Sequence, residues 1–504
     1  MTEQYHHTHC KLWVVLISFF WAQWPNSLVK ADDPPTIGER PAMEFVMSQE
    51  VIEMGLVSFK DITAHGLELF VARFNIHDGQ GRPASTGTGA TRVPDQPAFI
   101  RTSSPDSNAC SGCHNQPRPG GAGDFVTNVF VLAQALDPVT FSIDSMFSNE
   151  RNTLGMNGAG AIEMLAREMS TELISIREMA IEEAATLGEP VRSKLTTKGV
   201  EFGYVTATAE GKIDTNEIEG VDWDLIIKPF HQKGAVVSIR EFTNNAMNHH
   251  HGMQSVERFG EDTDPDKDGV MNELSVGDIT AITLFQASLN VPGRNFSKQK
   301  ARRHAAKRGE ELFAQVNCTS CHIPEMVLNS RFFTEPNPFN PPGNLHPDDV
   351  TKVFSYNMTK VGQKPRLMRI QGQKKGAVVR AFTDLKRHNL NDDDFNHFAN
   401  EQLPQGNLNG FADAEDFTTA PLPRPTEEFL TRKLWDVGNT DPYGHRGDLT
   451  TITEAINFHG GAARLSRDAY FALAQEDQDD IVEFLKTLQI LPKGPRKIPN
   501  HSAP

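Results

Sequence analysis

Apolar positions recur at helical spacing in several stretches. Between Ser48 and Arg73, Val51, Met54 and Val57 share one face, and the stretch closes on Gly66-Leu67-Glu68-Leu69-Phe70, which predicts a helix. Gly158 to Leu187 keeps the same spacing at Ile162, Leu165, Met169, Leu173 and Ile176 and predicts one long helix. Near the end, Gln478 to Leu488 carries Ile481, Phe484, Leu485 and Leu488 as one stripe, suited to a terminal packing helix. Leu195 to Ile218 differs: it is rich in Thr and Val, with Gly203 and Gly211 as breaks, and predicts a β-hairpin insertion. Asp32 to Pro41, His77 to Pro97 and Pro492 to Pro504 lack periodicity and read as a lead, a loop and a polar tail.

Some strings occur twice. Gly66 to Phe70 is echoed by Arg308-Gly309-Glu310-Glu311-Leu312-Phe313. Each precedes a C-x-x-C-H: Cys110-Ser111-Gly112-Cys113-His114 and Cys318-Thr319-Ser320-Cys321-His322. That pentapeptide is the attachment signature of a c-type haem. Two thiols one helical turn apart reach the two vinyl groups of one porphyrin, and the adjacent imidazole ligates the iron. Zinc held by two C-x-x-C pairs is the alternative, but zinc does not need the two histidines at those places. The expected cofactors are therefore two covalently bound haem c groups, with His114 and His322 as proximal ligands.

A second echo follows each motif at a distance. Gly234-Ala235-Val236-Val237, Phe242-Thr243 and His249-His250-His251-Gly252-Met253 resemble Gly376-Ala377-Val378-Val379, Phe382-Thr383 and His388-Asn389-Leu390. A duplicated haem domain with this segment on the distal face would show such a pattern. It makes His249, His250, His251 and Met253 candidate sixth ligands of the first iron, with at least two of the histidines spectators. For the second iron it favours His388, with Met358 and Met368 in reserve. A haem with two protein ligands passes electrons, whereas one with an open face binds a small ligand.

Length and composition narrow the class. At 504 residues with 38% hydrophobic content, the chain suits two or three globular domains. The formal net charge of −16 argues against nucleic acid, since phosphate binding needs a basic face. Lys11 precedes an apolar run from Leu12 to Trp24, and Val29-Lys30-Ala31 places small residues where a signal peptidase reads, so residues 1–31 read as an export signal. The run is short for a bilayer span, although an uncleaved anchor is the other reading, and no later stretch looks transmembrane. Of the five cysteines, Cys10 leaves with the signal, and the other four fill the two motifs. The expected location is periplasmic and soluble, where c-type haem is attached in bacteria.

Asp264-Pro265-Asp266-Lys267-Asp268-Gly269-Val270-Met271-Asn272-Glu273 resembles a calcium loop. Alternate carboxylates at Asp264, Asp266 and Asp268, a Gly for the turn, and Glu273 supply hard oxygen ligands. It departs from the full EF-hand, since position twelve is Ser275. A plain acidic turn is the alternative.

From about Gly66 to Leu488 the chain resembles the di-haem oxidoreductase family, described as peroxidases or thiol oxidoreductases and related to bacterial di-haem cytochrome c peroxidases. The matched strings are Gly66 to Phe70 with the first motif and Gly120-Gly121, Glu150-Arg151-Asn152 with Gly158 to Glu163, Phe382-Thr383-Asp384-Leu385, Pro442-Tyr443-Gly444-His445-Arg446-Gly447, and Thr453 to Ile456 with His459-Gly460-Gly461. The resemblance implies one electron-storing haem, one haem open to hydrogen peroxide, and calcium between them. Leu390 stands where the family's thioether would follow His388, so the second haem is expected to be bis-His or five-coordinate. Glu163 and Arg151 are the candidate proton-relay residues.

These readings give a mainly α fold with two cytochrome c-like haem domains, at residues 45–300 (including the β-hairpin insertion and calcium-type loop) and 301–492, and a tail at 493–504. The expected activity is peroxide reduction fed by a small electron-donor protein, a cytochrome or cupredoxin. A non-catalytic electron carrier of a respiratory chain is the alternative, and oxidation of side chains on a partner protein is a third reading.

Overall fold

The computed structural model describes residues 38–80, 107–124, 126–128, 150–265, 268–395 and 427–491. The export signal, Asp266 and the polar tail lie outside them. Among the described residues no helix is long and apolar enough to cross a membrane.

The segment expected as one helix before the first motif is two. Ser48 caps Gln49–Glu53, Gly55 turns the chain with φ +69°, and Ser58 caps Phe59–Val71. Both serines accept a hydrogen bond from a first-turn N–H, the usual reason a helix starts where it does. Phe59–Val71 packs on Val276–Ala287, and its Gly66 meets the partner backbone so closely that a Cβ would lie 2.0 Å from the Ala281 carbonyl oxygen. One turn on, Phe70 meets Phe285 with ring centroids 5.2 Å apart.

The second copy repeats this in detail. Lys300–Gln315 packs on Gln475–Lys486, a Cβ at Gly309 would lie 1.8 Å from the Asp480 carbonyl oxygen, and Phe313 meets Phe484 at 5.3 Å. The G-x-x-x-F echo is thus a packing device: the glycine lets two helices touch and the aromatic one turn later locks their rotation.

The long helix runs Ala159–Leu187, entered through Gly158 at φ +78°. Its first half is buried and joins Ile62, Leu284, Leu328, Ala377 and Trp435 in one apolar cluster, so segments flanking both motifs share a core. The expected hairpin is Val191–Thr197 against Val200–Ala207, closed by Lys198-Gly199 with φ +48° and +84°, and it starts four residues earlier than its Thr/Val composition suggested.

The expectation of a mainly α chain is corrected to a mixed one. Among the described residues, six small sheets of two or three strands stand among the helices. Segments between helices satisfy their backbone groups by pairing with one another, as Phe332–Glu335 does with Phe354–Asn357. The second echo also divides. Gly234 to Val237 leads into the helix Ile239–Ala246, whereas Ala377–Val379 is the middle strand of a sheet with Met326–Leu328 and Met368–Arg369. Phe242-Thr243 is helical, but Phe382 holds φ +55°.

Candidate functional site: two cysteine–histidine motifs and their surroundings

Cys110–Cys113 forms one helical turn and Cys318–Ser320 a tighter one, so in each motif the His N–H donates to the first Cys carbonyl, at 2.9 Å for His114 and 3.0 Å for His322. The turn presents both sulfurs and the imidazole together. None of the four cysteines is in a disulfide. Burial pushes the Cys110 and Cys318 thiols up to about 12, so both are neutral.

Both histidines are oriented in the same way. His114 Nδ1 lies 3.0 Å from the Leu154 carbonyl oxygen, and His322 Nδ1 lies 3.0 Å from that of Phe382. The bond fixes the ring through Nδ1, the usual support of an imidazole that binds a metal at Nε2. Burial pushes both rings down to about 4, which keeps them in the neutral form that binds a metal.

Beside the first motif opens a cleft of about 1440 Å³, part of it open to solvent. Cys110, Cys113, His114, His250, His251 and Arg432 are among its lining residues. His250 is close enough for its charge to depress that of His114. His251 is held by its Nδ1, 2.6 Å from the Ser107 carbonyl oxygen, with Nε2 3.2 Å from Cys110 Sγ. Met253 is elsewhere: it is buried among Leu69, Phe74, Leu274 and Ile279 and does not line the cleft. The His249 side chain lies outside the described atoms.

At the second motif the structure separates two histidines. His388 sits in the strand Arg387–Asn389, and its Nε2 lies 2.7 Å from Asp384 Oδ2. Burial works against its charge, but Asp384 and the Cys321 thiol outweigh burial and raise it to about 9. Cys321, Asp384 and His388 form one close group, so His388 stands at the attachment edge. His459, which the sequence analysis did not select as a ligand, lies near enough to His322 to depress its charge. Its Nδ1 lies 2.6 Å from the Ala455 carbonyl oxygen, and among the described residues no hydrogen bond reaches Nε2. That is the same posture as His114 and His322. The sequence signal of this histidine is His459-Gly460-Gly461, which lies outside the second echo. Of the reserves, Met358 is buried in the main core and Met368 is exposed.

Glu163 is fully buried behind the cleft wall, not on it. It accepts from Ile239 N at 2.8 Å, from Asn337 Nδ2 at 2.9 Å and from Arg167. Arg167 in turn donates to the Thr334 carbonyl at 2.7 Å, and Arg240 joins Glu335 and Glu257 at 2.6 and 2.7 Å. The network ties the long helix to Ile239–Ala246, whose Ile239 does line the cleft. Arg151 is placed by its backbone alone, in the strand pair with Thr127.

The calcium-type set is not brought together among the described residues. Asp264 accepts from Asp268 N and Gly269 N, both at 3.1 Å, as a self-capped turn does. Asp268 accepts from Val270 N at 2.8 Å, and Glu273 turns away to Gln254 N at 2.7 Å. Asp266 lies outside the described residues.

Paired thiols, a neutral imidazole and a large cleft are a donor set that fits an iron porphyrin; among the described residues the turn at Asp264 shows no such convergence. No family model and no curated protein matches the chain. Among solved structures, Kuenenia stuttgartiensis hydrazine synthase, pressurised with xenon, is similar at 14% identity over 91% of this chain and 97% of that one, with a TM-score of 0.34. A MauG-like protein associated with microbial copper homeostasis is similar at 15% identity over 64% of this chain and 88% of that one, with a TM-score of 0.24.

Proposed function

We propose that this chain is an exported di-haem c-type cytochrome oxidoreductase that reduces peroxide with electrons from a small redox protein. The observation that carries the reading is the repeated posture of His114 and His322, each adjoining paired cysteines and each held at Nδ1 by a main-chain carbonyl. When bound, the haem iron supplies one-electron chemistry and, where a coordination position is open, a site for a small oxidant.

The chain's own residues divide the two sites. His459 favours a closed second site, suited to holding an electron. The wide cleft at Cys110 to His114 favours access at the first, with His250 and His251 as the imidazoles nearest the reacting space. Glu163 and Arg167 keep the wall carrying Ile239 in register and do not themselves line the cleft. The acidic surface, at net charge −16, suits a donor with a basic face.

A second reading, electron carriage without catalysis, is favoured by the presence of His250 and His251 in the first cleft, since either could close it. The test is the spin state of the half-reduced holoprotein. A five-coordinate, high-spin haem with turnover of peroxide and a reduced small cytochrome supports the enzyme. Two low-spin haems in every redox state support the carrier. A blank pyridine haemochrome assay on matured protein removes both.

A further inference from the structure

We propose that Arg432 is the cation that neutralises a porphyrin carboxylate at the first site, the one marked by Cys110, Cys113 and His114. The inference rests on the haem reading above and adds to it a residue that holds the far edge of the ring.

Arg432 and Lys433 both line the cleft. The Lys433 ammonium is already spent on Asp436. The Arg432 guanidinium is not: among the described residues no hydrogen bond or ion pair reaches it, and Asp436 is felt only at longer range. Burial disfavours its charge, yet a guanidinium stays protonated. Arg432 is half-buried at the cleft, and a cation partly withdrawn from water gains from an anion placed beside it.

The geometry points to which anion. Thioether bonds fix a porphyrin's vinyl edge at the cysteines, so its two carboxylates leave from the opposite edge. Arg432 lines the same cleft as the cysteines but comes from a different segment, held where the Leu430 N–H donates to the Gln232 carbonyl at 2.8 Å. That segment continues toward the other motif, since the Leu434 N–H donates to the Ala381 carbonyl at 2.8 Å, next to the Phe382 carbonyl that holds His322. The carboxylate edge of the first haem would thus face the second site. A fork of planar donors suits a carboxylate better than an ammonium does.

The test is a redox titration of the matured holoprotein carrying Arg432→Gln or Arg432→Lys, with haem content confirmed by pyridine haemochrome. Loss of the positive charge favours the ferric form. In Arg432→Gln one of the two midpoints should fall, so that at a fixed potential its reduced-to-oxidised ratio drops about tenfold, equal to about 59 mV for one electron. That midpoint should also become pH-dependent as the freed carboxylate titrates. Arg432→Lys should restore most of the midpoint, and it carries the test if Arg432→Gln does not load haem. Unchanged midpoints at full haem content overturn the inference. Unchanged midpoints with a raised KM for an anionic substrate overturn it too, and assign Arg432 to substrate instead. Wild-type protein without covalent haem would defeat the functional reading itself, a separate result.

Discussion

Gly309 touches the backbone of Asp480 where Lys300–Gln315 crosses Gln475–Lys486, and Gly66 touches that of Ala281 in the same way. In both pairs the next contact is Phe on Phe one turn along, Phe313 with Phe484 and Phe70 with Phe285. Gly309→Ala and Gly66→Ala should each destabilise the fold by about 1–3 kcal/mol, because backbone rather than a flexible side chain must give way. Thermal unfolding of the holoprotein measures this, and an unchanged Tm would refute the close crossing.

His459→Ala should turn one low-spin haem into a high-spin one, with its EPR signal lost and the other unchanged. His388→Ala should leave the spin state of both haems as it was, because Asp384 holds His388 Nε2. The opposite pattern would restore His388 as the ligand.

Glu163→Gln should cost on the order of 1–3 kcal/mol, since it leaves buried Arg167 with only the longer contact to Glu335 at 4.0 Å. Urea unfolding reads that loss. If Glu163 instead relays protons, turnover will collapse while the unfolding midpoint stays in place.

The His388–Asp384 pair should make stability depend on pH in the alkaline range. The folded ring is raised to about 9 from an ordinary 6.5. Its contribution is therefore complete below about pH 6.5 and is lost as pH rises through about 9. The effect should be on the order of 2 kcal/mol, reduced in the matured protein because thioether formation removes the Cys321 thiol. Unfolding midpoints at about pH 6 and about pH 10 should differ in wild type and converge in Asp384→Asn.

The two motifs, the long helix and the terminal helix were legible because each rests on local chemistry, thiol spacing or a 3.6-residue period; the hairpin was legible from its Thr/Val composition, but Gly203, expected as a break, lies inside the strand Val200–Ala207 and the chain turns at Lys198-Gly199 instead. The break at Gly55 was missed because Val51, Met54 and Val57 keep a helical period across it. The small sheets were missed because strands such as Ala377–Val379 are three residues long and are defined by partners far away in sequence. Ligand choice by echo selected His388, since the two G-A-V-V strings look alike while their backbones are a helix approach and a strand. His459 is brought to His322 by tertiary packing, which no local string encodes.

Leu154 and Phe382 hold the two imidazoles with carbonyl oxygens, not side chains. The identity of Leu154 can therefore drift without turning the ring it aims, whereas Phe382 is also fixed by its left-handed backbone and its contact with Phe484. Distant homologues could keep the orientation of both histidines while the column at Leu154 looks unconstrained, even though the backbone path there is not.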